Sequence, residues 1–244
     1  MIRIPSRNGD PILVDPSTCT VAELVGKDYR TADVFRNFGI DYCCGGKKPI
    51  LEAAAETEQD PEPIFKALES LSTGSSAEEA DVTKWSIPLL STYISEVHHG
   101  YVREALPSLQ YYANRVANAH GRSDERLYRI NDLVYALSEA MTSHMKEEED
   151  VVFPAMVAAS KGQQSDLDMG KLIDSMEAEH VEVGGIVAEI RHLTDNFTPP
   201  AHACNSYRVL FASLADFEKD LHRHVFLENH VLFAKYQRIA GMLQ

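Results

Sequence analysis

Apolar residues in the last two thirds of the chain recur at alternating steps of three and four, which is the spacing of one helix face. Four long helices are predicted: residues 86–119, residues 124–159, the stretch between the KGQQSD and NFTPP segments, and a last helix through residues 210–233. Ser86 suits the N-cap of the first helix, and Pro107 is expected to kink that helix. Pro154 is expected to bend or locally break the second helix. The spacing is typical of helices that pack at shallow angles in a bundle.

The first part of the chain shows shorter helical patterns. They cover about residues 21–25, 31–38, 49–57 and 62–71. Gly39 suits a helix C-cap and Pro49 a first helical turn. The stretch STGSSAEEADVTKW has no apolar periodicity and is predicted to separate two domains. We therefore predict an all-α protein in which a small all-helical domain, residues 1–74, precedes a linker, residues 75–85, and an up-down-up-down four-helix bundle, residues 86–244.

Histidines and glutamates interrupt the apolar faces of all four long helices. They are His99, His144, Glu148, His180, His224 and Glu228. Each glutamate follows a histidine by four residues, so both side chains project from one helix face about 6 Å apart. A single histidine on an apolar face is usually a hydrogen-bonded core residue. Two unpaired buried glutamates would cost several kcal/mol each, however, and cations between the helices would remove that penalty.

The spacing of these residues indicates two copies of one helical hairpin. His99 and His144 are 45 residues apart, and His180 and His224 are 44 apart. The pattern H-x-x-x-E-x-x-V-[VL]-F occurs at residues 144–153 and again at residues 224–233. Within each hairpin, the candidate ligands on the two helices lie about equally far from the turn that joins the helices. All six side chains are therefore expected at the same level of the bundle, where they converge.

Six ligands are too many for one small ion and suit two. Glu148 and Glu228 would bridge the two ions. An oxo or hydroxo bridge and one open position would complete the coordination of each ion. Imidazole and carboxylate suit iron, manganese, zinc or nickel, and affinity order does not choose among them. A redox-active pair could bind and reduce small diatomic molecules or give up its metal.

Neighbouring residues are alternatives to some of these ligands. His98 could replace His99, and Glu147 or Glu149 could replace Glu148, but they lie off the apolar stripe. If His98 is not a ligand, it could still support the site by contacting one of the ligands. Glu179 is expected either to be solvated or to contact a ligand in the same way. The remaining histidines are expected at the surface or at helix caps: His120, His192, His202, His222 and His230.

Cys43 and Cys44 are adjacent in the glycine-rich segment DYCCGGKKP, just before a predicted helix. The positive end of that helix would lower the pKa of a nearby thiol, which favours reactive thiols. The alternative is that the glycines only form a turn and the cysteines fill small apolar gaps.

Composition limits the classes of function. The chain has 244 residues, 44% of them hydrophobic, and a formal net charge of −14, which argues against binding of nucleic acid or an anionic membrane. No run approaches the roughly 20 apolar residues of a membrane span, and the first residues lack the pattern of a signal peptide. Four cysteines are too few for a disulfide framework, so reduced thiols in the cytoplasm are expected.

Several motifs carry a resemblance to a known family. HMKEE, EAEH and HVFLE resemble the ligand pattern of haemerythrin-like domains, and a helical module with FGIDYCCGGK before such a domain resembles the iron-sulfur cluster repair di-iron proteins. The resemblance covers nearly the whole chain and extends to REALP, SHMKEEE and HVFLEN. It implies two oxo- or hydroxo-bridged non-haem iron ions on His99, His144, Glu148, His180, His224 and Glu228, with Cys43 and Cys44 as the functional thiol pair. The chain departs in about a dozen extra N-terminal residues and in Ala234, where a proline is expected.

The resemblance implies a cytoplasmic stress protein that restores iron-sulfur clusters damaged by nitric oxide or oxidants. In this hypothesis the di-iron centre donates iron, and the thiols contact the damaged iron-sulfur protein or handle iron in transit. The alternatives are an enzyme, a di-iron nitric oxide reductase, and a sensor that binds oxygen or nitric oxide. The sequence leaves open whether the chain forms a homodimer.

Overall fold

The computed structural model describes residues 1–5, 11–71, 81–163 and 166–241. The chain divides into two compact units. One unit comprises Met1–Trp85 and Glu228–Val231, and the other comprises Ser86–Leu227 and Leu232–Gln244. Most of the predicted linker, residues 75–80, lies outside the described residues, and Val82–Lys84 at its end form a short 3-10 turn.

Four short helices and a hairpin make up the part of the first unit that the structure describes before residue 81. The elements are β1 (Ile2–Ile4), β2 (Ile12–Val14), α1 (Val21–Lys27), α2 (Arg30–Asn37), α3 (Ile50–Glu56) and α4 (Pro61–Glu69). The helices lie where the sequence predicts them. The antiparallel hairpin, with Ile2 opposite Val14, departs from the predicted all-helical domain. Strands of three residues are too short to show an alternating pattern.

Local signals explain where the short helices begin and end. Thr20 and Glu23 form a capping box at the start of α1. Gly39 follows α2 with φ of 71°, a left-handed conformation that suits glycine at a helix end. Pro49, predicted in the first turn of α3, is the N-cap residue immediately before that turn. The core of this unit is apolar: Ile4, Leu24, Phe35, Ile50, Ile64 and Leu68 are fully buried.

Among the described residues, four long helices form the second unit, except that Glu228–Val231 of the fourth helix are grouped with the first unit. The first combines α5 (Ile87–Tyr93), a π-turn (Ile94–His99) and α6 (Gly100–His120); the second combines α7 (Arg126–Glu147), a π-turn (Glu148–Val152) and α8 (Phe153–Ser160); the third is α9 (Met169–Leu193); the fourth combines α10 (Asn205–Phe226), a π-turn (Leu227–Phe233) and α11 (Ala234–Ile239). Helix α6 packs against α7 and α10, and α9 also packs against both. This ring of neighbours confirms the predicted all-α four-helix bundle.

The π-turns were not predicted, and one of them changes the expectation for Pro154. The second long helix does not break there, because a π-turn ends at Val152 and α8 resumes at Phe153. Pro154 therefore lies in a first helical turn, where its missing N–H costs least. Pro107 lies inside α6. Among the described residues, no helix is long and apolar enough to cross a membrane.

Candidate metal centre

The structure brings the six predicted metal ligands together in two overlapping groups. His99, Glu148, His224 and Glu228 form one group, and His144, Glu148, His180 and Glu228 form the other. Within each group the ligand atoms lie within 4.8 Å of one another, and every member is buried. Both glutamates belong to both groups. The arrangement therefore offers two pairs of imidazoles on either side of two shared carboxylates.

The distances within the groups fit atoms that share an ion. The Nε2 atoms of His99 and His224 are 3.0 Å apart. Those of His144 and His180 are 2.9 Å apart. Nε2 of His99 and Nε2 of His144 lie 3.3 and 3.4 Å from the same Glu148 oxygen, Oε2. Two donors about 2.1 Å from a common ion would lie about 3.0 to 3.4 Å apart at right or tetrahedral angles. The side chains are therefore placed as metal ligands would require. We call these six residues the cage: His99, His144, Glu148, His180, His224 and Glu228.

Glu148 gives the strongest indication that a cation belongs here. Its side chain is fully buried, and neither carboxylate oxygen accepts a hydrogen bond from any described residue. An ionised carboxylate buried without donors costs several kcal/mol. A metal ion bound to those oxygens would remove the penalty. The donor set of imidazoles and carboxylates is one that iron accepts.

Two further carboxylates orient the histidines. Nδ1–H of His99 donates to Oε1 of Glu149 at 2.7 Å, and Nδ1–H of His144 donates to Oε2 of Glu179 at 2.8 Å. An ionised carboxylate can only accept, so the proton is on Nδ1 and the Nε2 lone pair faces the cage. Glu149 is therefore a hydrogen-bond partner of His99 and does not replace Glu148 in the cage. Glu179 contacts His144, a cage residue, which is one of the two roles expected for it.

Arg103 extends one of these contacts to the surface. Its Nη1 donates to Oε1 of Glu149 at 2.8 Å, and its Nη2 donates to the Ser95 carbonyl at 3.1 Å. Burial alone would raise the pKa of Glu149, but the hydrogen bonds from Arg103 and His99 outweigh it and hold that pKa below its usual value. Glu149 is consequently ionised when it faces His99.

His98 is buried beside the centre. Its Nδ1 lies 2.9 Å from Oδ1 of Asp220, and its ring stacks on that of His224 with centroids 5.7 Å apart. It therefore packs against a member of the cage, in agreement with the supporting role considered for it. Glu147, the other alternative, is exposed.

The remaining histidines lie in different environments. His192 and His202 are exposed, as expected, and His120 is partly exposed with Nε2 3.3 Å from Sγ of Cys204. The expectation fails for His230, whose Nε2 donates to the Cys43 carbonyl at 2.8 Å. That contact joins residues 187 positions apart, and no local pattern in the sequence indicates it.

The two thiols lie in a turn built on Asp41. The Asp41 carboxylate accepts the backbone N–H groups of Cys43, Cys44 and Gly45, each at 2.9 Å. Sγ of Cys43 is 3.2 Å from Oδ1 of Asp41 and 3.8 Å from Sγ of Cys44. Cys43 is buried and Cys44 is partly exposed. The turn therefore places both sulfur atoms on one side, next to a carboxylate.

The expected lowering of the thiol pKa is wrong for Cys43. Its hydrogen bond with the Cys44 thiol, its burial and the nearby Asp41 charge together raise its pKa well above the usual value. Helix α3 begins at Ile50, after the turn, and the pKa of Cys43 is raised despite it. Cys43 is thus protonated at neutral pH in the absence of a cation.

Two comparisons with known families agree with this geometry. Residues 91–236 match the hemerythrin HHE cation binding domain. Residues 17–72 match ScdA_N, described as a domain of unknown function (DUF542). The first match covers the bundle and all six cage residues, and the second covers the Asp41 turn.

Relatives that match most of this chain carry a functional name. The iron-sulfur cluster repair protein ScdA of Staphylococcus haemolyticus is 34% identical over 216 residues, 88% of this chain and 96% of the relative. ScdA of Staphylococcus epidermidis is 30% identical over 217 residues, with the same coverage. The iron-sulfur cluster repair protein YtfE of Escherichia coli is 34% identical over 209 residues, 84% of this chain and 90% of the relative. The chain is thus a hemerythrin-domain protein. It belongs to the family of the iron-sulfur cluster repair proteins ScdA and YtfE.

Proposed function

We propose that this protein repairs iron-sulfur clusters damaged by nitrosative or oxidative stress and that it does so by donating iron from a di-iron centre in the bundle. The observation that carries the proposal is the buried Glu148 carboxylate, which has no hydrogen-bond donor among the described residues and faces histidine nitrogens 3.3 and 3.4 Å away. The names of ScdA and YtfE, relatives that match most of the chain, support repair as the purpose of such a centre.

In this proposal the ligands of the two iron ions are the six cage residues. His99 and His224 would hold one ion, His144 and His180 would hold the other, and Glu148 and Glu228 would bridge them. An oxo or hydroxo group would complete the bridge. Bound there, iron supplies a redox-active centre with exchangeable coordination positions. Glu149 and Glu179 keep the imidazole lone pairs aimed inward, which sets how firmly the metal is held.

Cys43 and Cys44 would contact the damaged iron-sulfur protein that receives the iron. Two thiols side by side suit contact with a damaged iron-sulfur protein, because thiolate is the ligand that such clusters use. The partners would be damaged iron-sulfur proteins together with nitric oxide or oxygen at the iron. We propose a cytoplasmic location, and the four free cysteines, which suit a reducing compartment, support it.

Metal analysis of the purified protein is the first test. About two irons per chain are expected in the wild type, and Glu148→Gln should lower that number because it removes the shared charge. Glu147→Gln is the matched control, since it changes an exposed neighbour in the same helix. A protein that holds only zinc, or a Glu148→Gln variant with unchanged iron, would overturn the assignment of the centre.

Restoration of a damaged [4Fe-4S] enzyme is the second test. The iron-loaded wild type should restore its activity, the Glu148→Gln variant should not, and the double variant Cys43→Ser with Cys44→Ser should keep its iron but lose restoration. Cys19→Ser serves as the thiol control. Steady nitrous oxide production with a chemical reductant and no restoration would instead identify a nitric oxide reductase. Reversible ligand binding without either activity would identify a sensor.

A further inference from the structure

The turn at residues 41–44 contains a set of donors separate from the cage. Sγ of Cys43, Sγ of Cys44 and the Asp41 carboxylate can all place ligand atoms within 4.8 Å of one another. Adjacent side chains in an extended strand point to opposite faces. Here the chain bends, and the backbone N–H groups of Cys43 and Cys44 both bond to the same Asp41 oxygen, so the two sulfur atoms lie together.

The distances in this set match a tetrahedral metal site. Two thiolates bound to one ion at about 2.3 Å lie about 3.8 Å apart at the tetrahedral angle. The two sulfur atoms are 3.8 Å apart. A disulfide would require them to approach to about 2.05 Å. A thiolate and a carboxylate oxygen on the same ion would lie about 3.6 Å apart, and Cys43 Sγ is 3.2 Å from Asp41 Oδ1. Small side-chain rotations would reach the bound geometry.

Contacts around the turn keep this geometry in place. The Cys43 carbonyl accepts hydrogen bonds from Nδ2 of Asn229 at 3.1 Å and from Nε2 of His230 at 2.8 Å, both within the same unit. A Cβ atom at Gly46 would lie 2.4 Å from the Tyr42 carbonyl oxygen. The backbone segments are too close together there for any residue larger than glycine. The donors are therefore arranged before any ion arrives.

We infer that Asp41, Cys43 and Cys44 form a second metal site, for one thiophilic divalent cation such as zinc or ferrous iron. Thiolate ligands select such ions over magnesium and calcium. As two metal–sulfur bonds form, the two S–H bonds break and their protons pass to the solvent, with no transfer of electrons. Three protein donors leave a fourth position open, and closed four-ligand sites are the structural ones. An external ligand, such as a thiolate of another protein, can therefore bind the cation at that position.

This site gives the thiols a defined part in repair. Once an external thiolate occupies the open position, the ion can pass to another set of thiolates by stepwise replacement of its ligands. That the ion is iron on its way to a damaged cluster rests on the proposed function, whereas the cation site itself rests on the geometry of the turn.

X-ray absorption at the zinc edge tests the site in the full-length, iron-loaded, reduced protein. Iron in the bundle does not contribute at that edge. With one equivalent of zinc, we expect about two sulfur scatterers near 2.3 Å from the metal. The Cys44→Ser variant, which changes a partly exposed residue, should reduce this to one, and the double serine variant should leave none. Circular dichroism and the iron content of each variant establish that the fold and the bundle centre are intact.

The control variant is Cys204→Ser, because Cys204 and His120 form a different pair of soft donors. It should leave the sulfur signal unchanged. A wild type with only nitrogen and oxygen around zinc, or a sulfur signal that persists in the double serine variant and disappears with Cys204, would overturn the inference. Neither result depends on repair, which is measured separately on the same samples. If zinc is bound by both thiolates but the protein does not repair clusters, only the proposed function is overturned.

Discussion

The contact between Glu149 and His99 predicts how firmly the bundle holds its metal. Replacing Glu149 with glutamine retains the shape of the side chain and a carbonyl oxygen, but it removes the charge that faces the His99 Nδ1–H at 2.7 Å and the Arg103 guanidinium at 2.8 Å. The His99 ring then loses the partner that fixes its tautomer and raises the basicity of its Nε2. We expect the variant to fold normally and to bind metal more weakly.

The contacts and the exposure of these side chains set the expected size of each effect. Loss of a carboxylate that orients a metal-bound histidine lowers metal affinity by about 10- to 100-fold, or about 1.4 to 2.7 kcal/mol. The ion pair between Arg103 and Glu149 is 51% and 31% exposed. A pair so exposed contributes only about 0 to 1 kcal/mol to folding. Metal affinity should therefore fall by more than the stability of the metal-free chain.

Competition with a coloured iron chelator measures the first quantity, and urea denaturation of metal-free protein measures the second. Glu147→Gln is the matched control, because Glu147 is exposed in the same run of glutamates. It should leave both quantities unchanged. If Glu149→Gln binds iron as tightly as the wild type, or if its whole effect appears in the metal-free chain, then Glu149 does not act through His99.

Two further predictions concern the scaffold. Gly46→Ala should lower the free energy of unfolding by about 1 to 3 kcal/mol, because the added carbon would lie 2.4 Å from the Tyr42 carbonyl oxygen. Gly184→Ala in α9, where the added carbon would meet nothing within 4 Å, should not lower it. Equal effects of the two substitutions would contradict this prediction. The hydrogen bond from Arg126 lowers the pKa of Asp124 below 3.8, so its contribution to stability is complete above that value and is lost as pH falls through the lower folded pKa. The difference in urea midpoint between metal-free wild type and Asp124→Asn should therefore shrink in acid, and a constant difference would refute it.

Periodicity was sufficient to find the six cage residues because burial and chemistry act on the same face of each helix. A ligand inside a bundle must replace an apolar residue, so His99 and Glu148 occupy positions that the three-and-four spacing assigns to the core. The same spacing separated His99 from His98, although both are buried. The fold class followed from the same signal.

Other parts of the centre depend on contacts that local patterns do not encode. Glu149 reaches His99 from 50 residues away, and its position beside Glu148 in the sequence indicates only that it points elsewhere. His230 likewise contacts Cys43 across 187 positions. The raised pKa of Cys43 arises from its neighbours in the turn, whereas the sequence shows only the helix that follows. The π-turns depend on backbone hydrogen bonding that has no residue signature.

The π-turns tie the chemistry of the bundle to its architecture. Each of the three contains a cage residue: His99, Glu148 or Glu228. A π-turn accommodates one residue more than the α-helix on either side. If the same residues were wound as a regular α-helix, the extra residue would no longer be absorbed, and everything beyond it would rotate by about 100°, carrying buried Phe153 and Met156 out of the core. Each irregular turn is thus held in place by the packing that follows it, and the helix cannot be straightened locally without loss of the bundle.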